Sequence, residues 1–245
     1  MAIFKSEIEQ EYEAKTQRRR RLNLAFAEKG VVFFDLDQAL VEEGVRIGAG
    51  TYIGPAAIIT GRTAIGENCV IGQGCRIDNC EIADGVELDH SVLKDSKIGE
   101  KTTVGPFAYV RPGSVVGRRC RIGDFVEVKN SQIGDDTKVS HLSYIGDSEL
   151  GAGVNVGCGV VFVNYDGAEK HRSTVGDGAF IGCNANIVSP VSIGAGSYIA
   201  AGGTVTRDVP PGALFVARDK GRNIEGWAGR RGLLGSRLEK QGGQE

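Results

Sequence analysis

Aliphatic side chains recur every six residues along most of this sequence. That period is neither the 3.6 residues of a helix nor the two residues of an ordinary strand. It is carried by three runs: Ile47, Ile53, Ile59, Ile65, Ile71 and Ile77; Ile98, Val104, Val110, Val116, Ile122 and Val128; Val175, Ile181, Ile187, Ile193, Ile199 and Val205. The pattern predicts a parallel β-helix of hexapeptide repeats, with the aliphatic residues pointing into a three-sided prism. Successive coils then stack at about 4.8 Å.

The pattern divides the chain into three parts. Residues 1–44 form an N-terminal segment, helical over 3–29, and a lead-in. Residues 45–207 form the β-helix, whose rhythm stops at an inserted loop over 163–174. Residues 208–245 form an irregular arm and tail. We therefore expect an all-β fold with an N-terminal helix and a C-terminal arm. Because flat prism sides favour assembly, we also expect a closed three-fold oligomer.

Composition narrows the functional class. The formal charge is −2, so no basic field favours nucleic acid. No apolar run is long enough to span a bilayer, and the charged N-terminus does not match a secretory signal, so we expect a cytoplasmic protein. The 37 glycines recur at the repeat corners. The six cysteines form no CxxC pair or zinc-finger spacing and are interpreted as small corner residues, with no metal site.

Spacing places chemically active residues in columns along the prism. One corner column contains Asp124, His141, Cys158, Cys183 and Ala201. Its small members leave a groove parallel to the axis, where a long flexible ligand could end at His141. A lone histidine is often structural, and the other two, at positions 90 and 171, are too scattered for the zinc site of a γ-class carbonic anhydrase.

A neighbouring column stacks Arg111 on Lys129. Two stacked cations repel each other unless an anion lies near them. A phosphate would satisfy both, with a two-pronged contact from the guanidinium. The alternative is neutralisation by Glu127 and other carboxylates.

Several longer motifs are more specific than the repeat itself: VGPFAYVRPGS, GDFVEVKN, SHLSYIGD, GVNVG, VNYDG, IAAGGTVTRDVPPGAL and NIEGWAGRR. Over residues 12–231 the chain resembles the acetyltransferase domain of the bifunctional N-acetylglucosamine-1-phosphate uridyltransferase / glucosamine-1-phosphate acetyltransferase. The resemblance implies a left-handed β-helix and a homotrimer with active sites between subunits. It also implies acetyl transfer from acetyl-CoA to the amine of glucosamine-1-phosphate, for UDP-N-acetylglucosamine and cell-wall precursor synthesis.

The same resemblance assigns site residues by motif. His141 corresponds to the base. The sugar-phosphate contacts correspond to Arg111, Lys129, Tyr144, Asn155 and Lys170, and the acetyl-CoA contacts to Asn164, Tyr165, Cys183, Ala201 and Arg218. For catalysis we expect Glu127 to orient or charge-balance His141, with a salt bridge to Lys129 as the alternative. The backbone N–H of Cys158 is the candidate oxyanion donor.

The chain departs from the family pattern in places. Cys183 stands where the family usually has serine, and Phe162 and Val163 are more apolar than expected. Residues 1–44 contain no Gly-rich nucleotide-binding loop, so uridyl transfer is not predicted. Two alternatives stay open: an acetyltransferase acting on another amino sugar or sugar nucleotide, and a non-catalytic trimeric scaffold.

Overall fold

The computed structural model describes residues 2–217, 221 and 223–231, with side chains from residue 6 onward. The chain begins with one long helix, α1 (Ala2–Ala27). Its last turns lie against the first coil. Asn23 is fully buried there and donates to the carbonyls of Leu36 and Ala39 at 2.8 and 2.9 Å. Because the end of a solenoid exposes a core and unpaired backbone, this helix covers the N-terminal end of the prism.

Short strands make up the rest of the described fold, two to four residues each. In chain order they are β1 (Val32–Phe33), β2 (Leu40–Val41), β3 (Arg46–Ile47), β4 (Tyr52–Ile53), β5 (Ile58–Thr60), β6 (Ala64–Ile65), β7 (Val70–Ile71), β8 (Arg76–Asp78), β9 (Glu81–Ile82), β10 (Glu87–Leu88), β11 (Val92–Lys94), β12 (Lys97–Ile98), β13 (Thr103–Val104), β14 (Tyr109–Val110), β15 (Val115–Val116), β16 (Arg121–Asp124), β17 (Glu127–Lys129), β18 (Gln132–Ile133), β19 (Lys138–His141), β20 (Tyr144–Gly146), β21 (Ser148–Leu150), β22 (Asn155–Val156), β23 (Val161–Val163), β24 (Ser173–Val175), β25 (Phe180–Ile181), β26 (Asn186–Val188), β27 (Ser192–Ile193), β28 (Tyr198–Ile199), β29 (Thr204–Val205) and β30 (Leu214–Phe215). A short helix, α2 (Trp227–Arg230), follows.

The strands form three parallel sheets, each taking one strand from every coil. Sheet A has the order β1-β4-β7-β10-β13-β16-β19-β22-β25-β28-β30. Sheet B has the order β2-β5-β8-β11-β14-β17-β20-β23-β26-β29, and sheet C the order β27-β24-β21-β18-β15-β12-β9-β6-β3. The coils make a left-handed β-helix of about ten turns. The predicted all-β fold is confirmed.

The core is a thin column of aliphatic side chains inside the prism. In sheet A the inward residues of successive strands are buried: Ile53, Ile71, Leu88, Val104, Ile122, Val139, Val156, Ile181 and Ile199. Six of them belong to the six-residue runs, whereas Leu88, Val139 and Val156 lie where the spacing is irregular. Phe162, whose apolar character was unexpected, is fully buried on the sheet B side and fills the axis beside the inserted loop.

The repeat region is longer than the sequence indicated. Strands β1 and β2 precede residue 45 and pair with β4 and β5. Strand β30 follows residue 207 and pairs with β28. The predicted limits of 45 and 207 are therefore too narrow, because the first coil carries a loop over residues 34–39 and the last one lacks the six-residue spacing. The insert lies between β23 and β24.

Candidate active site

His141 ends β19 at the corner between sheets A and B. It lies directly opposite Asp124, which ends β16 one coil earlier. Imidazole Nδ1 and carboxylate Oδ1 are 2.6 Å apart, and 59% of the histidine side chain is exposed. The hydrogen bond from His141 lowers the pKa of Asp124. An ionised carboxylate at Nδ1 holds the proton on that nitrogen and leaves Nε2 as the basic position.

Glu127 does not contact His141, and that prediction is wrong. Its Oε1 accepts a hydrogen bond from Nη1 of Arg111 at 2.7 Å. The reason is the register: Glu127 begins β17 on the outer face of sheet B, opposite Tyr109 and Tyr144. Asp124, a member of the predicted corner column, is the carboxylate that reaches the imidazole. The alternative, a Glu127–Lys129 salt bridge, is not found either.

Lys129 pairs with a carboxylate that the sequence analysis did not select. Its Nζ lies 2.9 Å from Oδ2 of Asp147, whose side chain is only 6% exposed. Asp147 also accepts hydrogen bonds from the amides of Asn130, at 2.6 Å, and Asn164. Burial alone would raise the pKa of Asp147, but these three donors leave it below its ordinary value.

Arg111 and Lys129 stack in register, as predicted, through the pairing of β14 with β17. Glu127 pairs with Arg111, and Asp147 pairs with Lys129. Carboxylates therefore neutralise the two stacked cations, as the alternative to phosphate binding predicted. A third cation lies beside them.

Lys170 has no carboxylate within ion-pair distance among the described residues. Contact with Lys129 lowers the pKa of Lys170, and the charge of Arg111 acts in the same direction. Burial would lower the pKa of Lys129, but its hydrogen bond to Asp147 leaves it above its ordinary value. Three cations thus face two carboxylates at one place, which leaves a local excess of positive charge.

The inserted loop is a small hairpin that carries Lys170 back to sheet B. Tyr165 and Lys170 form an antiparallel bridge. The Tyr165 hydroxyl donates to the carbonyl of Gly167 at 2.6 Å, while over half of the residue is exposed. Asn164 is buried, and its amide reaches Asp147 and, at 3.4 Å, the hydroxyl of Tyr144. The side chain of Asn164 therefore supports the cation cluster.

The small-residue column continues beyond His141, as predicted. Pairing of β19 with β22, β22 with β25 and β25 with β28 places Cys158, Cys183 and Ala201 above it in successive coils. Cys158 is half-buried and Cys183 is exposed. The N–H of Cys158 donates to no acceptor in the described part of the chain, so it is available to an oxyanion.

Glycine lets these coils approach each other closely. A Cβ added at Gly157 would lie 2.6 Å from the backbone nitrogen of Cys183. A side chain at position 157 would therefore force the two coils apart at this corner.

The candidate residues occupy two faces of the prism. Tyr144 lies on sheet B with the cations, whereas Asn155 lies on sheet A, opposite Lys138 and Phe180. His141 lies at the edge between them. Arg218 is outside the described residues. The sequence predicted no role for Asp124, Asn130 or Asp147. Asp124 belongs to the corner column that the spacing identified, whereas no spacing rule identified Asp147.

Comparison with known proteins supports the repeat fold. Residues 37–119 match the family model of the GMPPB C-terminal domain, and residues 172–207 match the bacterial transferase hexapeptide model (six repeats). A solved structure of LpxA, a UDP-N-acetylglucosamine acyltransferase from Bacteroides fragilis 9343, superimposes with a TM-score of 0.53 at 18% identity, covering 83% of this chain and 80% of that one. At that identity the likeness shows the fold alone.

Curated relatives are far more similar in sequence. The bifunctional protein GlmU of Clostridium beijerinckii is 52% identical over 221 residues, which are 90% of this chain and 49% of the relative. GlmU of Clostridium botulinum (strain Kyoto / Type A2) is 50% identical over 222 residues, which are 91% of this chain and 49% of the relative. The chain is a homologue of the GlmU proteins.

The resemblance drawn from the motifs is confirmed. The chain spans about half the length of the curated GlmU relatives it matches. The match to GlmU of Brevibacillus brevis, 48% identical over 208 residues, likewise covers 85% of this chain and 45% of that protein. No helix among the described residues combines the length and apolarity needed to cross a bilayer.

Proposed function

We propose that this chain transfers the acetyl group of acetyl-CoA to the amine of glucosamine-1-phosphate. The observation that carries the proposal is the position of the His141–Asp124 pair. It lies at one end of a column of small residues and beside a cluster with surplus positive charge. A donor with a long arm and a phosphorylated acceptor fit these two features. Homology to GlmU proteins, named bifunctional, supports the same assignment.

Catalysis begins at the free nitrogen of the imidazole. An ammonium group has no lone pair, so the acceptor first releases one proton to solvent and attacks as the neutral amine. Nε2 of His141 takes the second proton, which the nitrogen loses as the N–C bond forms, while Asp124 holds Nδ1–H and stabilises the imidazolium that forms. General-base catalysis of this kind contributes roughly 10²–10⁴-fold in rate.

The remaining steps follow from the thioester chemistry. The amine nitrogen attacks the thioester carbonyl carbon and gives a tetrahedral oxyanion. The N–H of Cys158, next in the column above His141, donates to that oxygen. The C–S bond then breaks, and the leaving CoA thiolate takes the proton from the imidazolium. The products are the N-acetylated sugar phosphate and CoA, and no covalent enzyme intermediate is required.

Substrate phosphate binds where the positive charge is in excess. Lys170, which has no carboxylate partner among the described residues, and the neighbouring Lys129 contact the phosphate. Arg111 is 39% exposed beside Glu127, so its guanidinium can turn a second edge toward an anion. Tyr144, between His141 and the cations on sheet B, contacts the sugar. Tyr165, Cys183, Ala201 and Arg218 hold the donor, together with the backbone of Asn164.

We further propose that the active unit is a homotrimer with sites between subunits. Tyr144 and Asn155 lie on different faces of one prism, so a single chain does not enclose an acceptor between them. Next to the His141 corner, Phe107, Phe125 and Leu142 form an exposed apolar column. A second copy placed against this edge would cover the column and close the cleft. We place the enzyme in the cytoplasm, where its product serves UDP-N-acetylglucosamine and peptidoglycan precursor synthesis.

An acceptor panel tests the function. The protein is incubated with acetyl-CoA and glucosamine-1-phosphate, glucosamine, a regioisomeric glucosamine phosphate or another amino-sugar nucleotide. CoA and the acetylated product are quantified by chromatography and mass spectrometry, because the exposed Cys183 would react with a thiol-detecting dye. We expect the 1-phosphate to be the best acceptor. A preference for another amino sugar would replace the assignment, and no transfer to any acceptor by a folded protein would reject it.

A further inference from the structure

Two cysteines lie one above the other at the corner that carries His141. The pairing of Val156 with Ile181 places Cys158 opposite Cys183, and the N–H of Asn184 donates to the carbonyl of Cys158 at 2.8 Å. Residues paired in this way are about 4.8 Å apart at their Cα atoms. A disulfide spans Cα separations of about 4.4–6.8 Å, so the backbone spacing suits a bond between them.

Side chains at this corner can meet across adjacent coils. His141 and Asp124 occupy the same column one and two coils below Cys158, and their side chains meet at 2.6 Å. In sequence the two cysteines are separated by the inserted loop, so their proximity is a product of the coil register. Among the six cysteines they are the only two paired in adjacent coils.

The other four cysteines are chemically shielded. Cys69, Cys75, Cys80 and Cys120 are each at most 2% exposed. Burial raises the pKa of all four thiols, that of Cys75 to about 11. The thiols of Cys69 and Cys120 also lie 3.1 Å from the carbonyl oxygens of Ala83 and Gly134. A solvent-borne reagent therefore reaches only Cys158 and Cys183 readily.

We propose that Cys158 and Cys183 form a modification site for oxidants of the hydroperoxide class, which convert the two thiols into a disulfide across the column. The more exposed Cys183 thiolate attacks the peroxide, its sulfur is oxidised to a sulfenic acid, and water or alcohol leaves. The Cys158 thiolate then attacks that sulfur and expels hydroxide, which is protonated to water. Overall, two thiols and one hydroperoxide give one disulfide, one molecule of water from the sulfenic acid, and one molecule of water or alcohol from the peroxide.

The effect on activity rests on the proposed function. There, this column is the groove that holds the acetyl donor, and the Cys158 N–H serves the oxyanion. A disulfide fixes both side chains across the groove and occupies the surface on which the pantetheine arm lies. Donor binding therefore falls when the bond forms and returns when a dithiol reduces it. Bound CoA shields both thiols and slows the oxidation.

Peptide mapping tests the bond itself, independently of activity. The folded protein is treated with hydrogen peroxide, alkylated and digested without reduction, and the peptides are identified by mass spectrometry. We expect one intramolecular Cys158–Cys183 link that dithiothreitol removes, with the four buried cysteines unmodified as internal controls. Cys158→Ser and Cys183→Ser should each abolish the link. Oxidation of Cys183 to a sulfinic acid while Cys158 stays a free thiol, or a link between two chains, would overturn the proposal.

A second measurement tests the consequence. Acetyl transfer is measured before and after peroxide, and each variant is compared with its own untreated sample. Wild type should lose activity by roughly tenfold or more and regain it with dithiothreitol, whereas both serine variants should resist. CoA present during treatment should protect. A mapped link without loss of activity would overturn the groove-closing role. An untreated protein without activity would instead reject the proposed function, and mapping would still decide the disulfide.

Discussion

Replacing Lys129 with glutamine separates its structural role from its proposed role in binding. The variant keeps the approximate length of the side chain but removes the charge that faces Asp147 and, in our proposal, the substrate phosphate. A hydrogen bond to a charged group contributes about 1.5–3 kcal/mol. At 1.4 kcal/mol per factor of ten, the KM for glucosamine-1-phosphate should rise by about ten- to 150-fold. The KM for acetyl-CoA should change little.

The same variant should be less stable, because Asp147 is only 6% exposed and loses its cation. Asn130 and Asn164 still donate to it, so the loss of unfolding free energy should be about 1–3 kcal/mol and not the full cost of an unpaired buried charge. Adding Asp147→Asn removes the unpaired charge. The double variant should recover most of the stability and none of the lost acceptor binding.

Steady-state kinetics with chromatographic detection and denaturant unfolding measure the two effects. Lys97→Gln is the matched control: it removes a lysine from an exposed ion pair with Glu81 on sheet C, remote from the site. It should leave both KM values and, within about 1 kcal/mol, the stability unchanged. Equal increases in the KM of donor and acceptor, or an unchanged acceptor KM with normal folding, would refute the phosphate assignment.

Three further predictions concern the catalytic pair and the buried carboxylate. His141→Ala should lower kcat by roughly a hundredfold or more while isothermal titration shows CoA binding retained; an unchanged kcat would remove the base. Asp124→Asn replaces the carboxylate that holds Nδ1–H with an amide that can favour the other tautomer, so kcat should fall by roughly tenfold or more; Glu127→Gln, whose carboxylate faces Arg111, should not lower kcat in this way. The pKa of Asp147 is lower folded than unfolded, so its stabilisation is complete above the unfolded pKa and is lost as pH falls through the folded pKa. Asp147→Asn should flatten the acid side of the stability–pH curve, and an unchanged slope would contradict this linkage.

The repeat spacing predicted the fold because each six-residue repeat turns one side chain into the core, and that side chain must be apolar. Every six-residue step returns to an inward position, so the core of each sheet and the column above His141 could be read from the sequence. The first and last coils could not, because the step from Phe33 to Val41 is eight residues and the step from Val205 to Val209 is four. There, the packing of α1 and pairing to the next coil determine the strand.

Site contacts were harder to predict because they depend on which sheet face a side chain occupies. Glu127 and Asp124 belong to the same GDFVEVKN motif, but only Asp124 shares the corner of His141, and the corner decides the contact. Lys129 reaches Asp147 from the neighbouring coil, in a turn where no repeat rule assigns a role to an aspartate. The repeat spacing predicted which residues share a column. The side-chain contacts between neighbouring residues could be identified only from the structure.

Crystallography of the protein with CoA tests the central claim most directly. The pantetheine arm should lie along the corner of Cys158, Cys183 and Ala201, with the CoA sulfur within about 4 Å of His141 Nε2, as a reactive geometry requires. CoA bound along a different edge of the prism, or with its sulfur remote from His141, would contradict the assignment of His141 as the base.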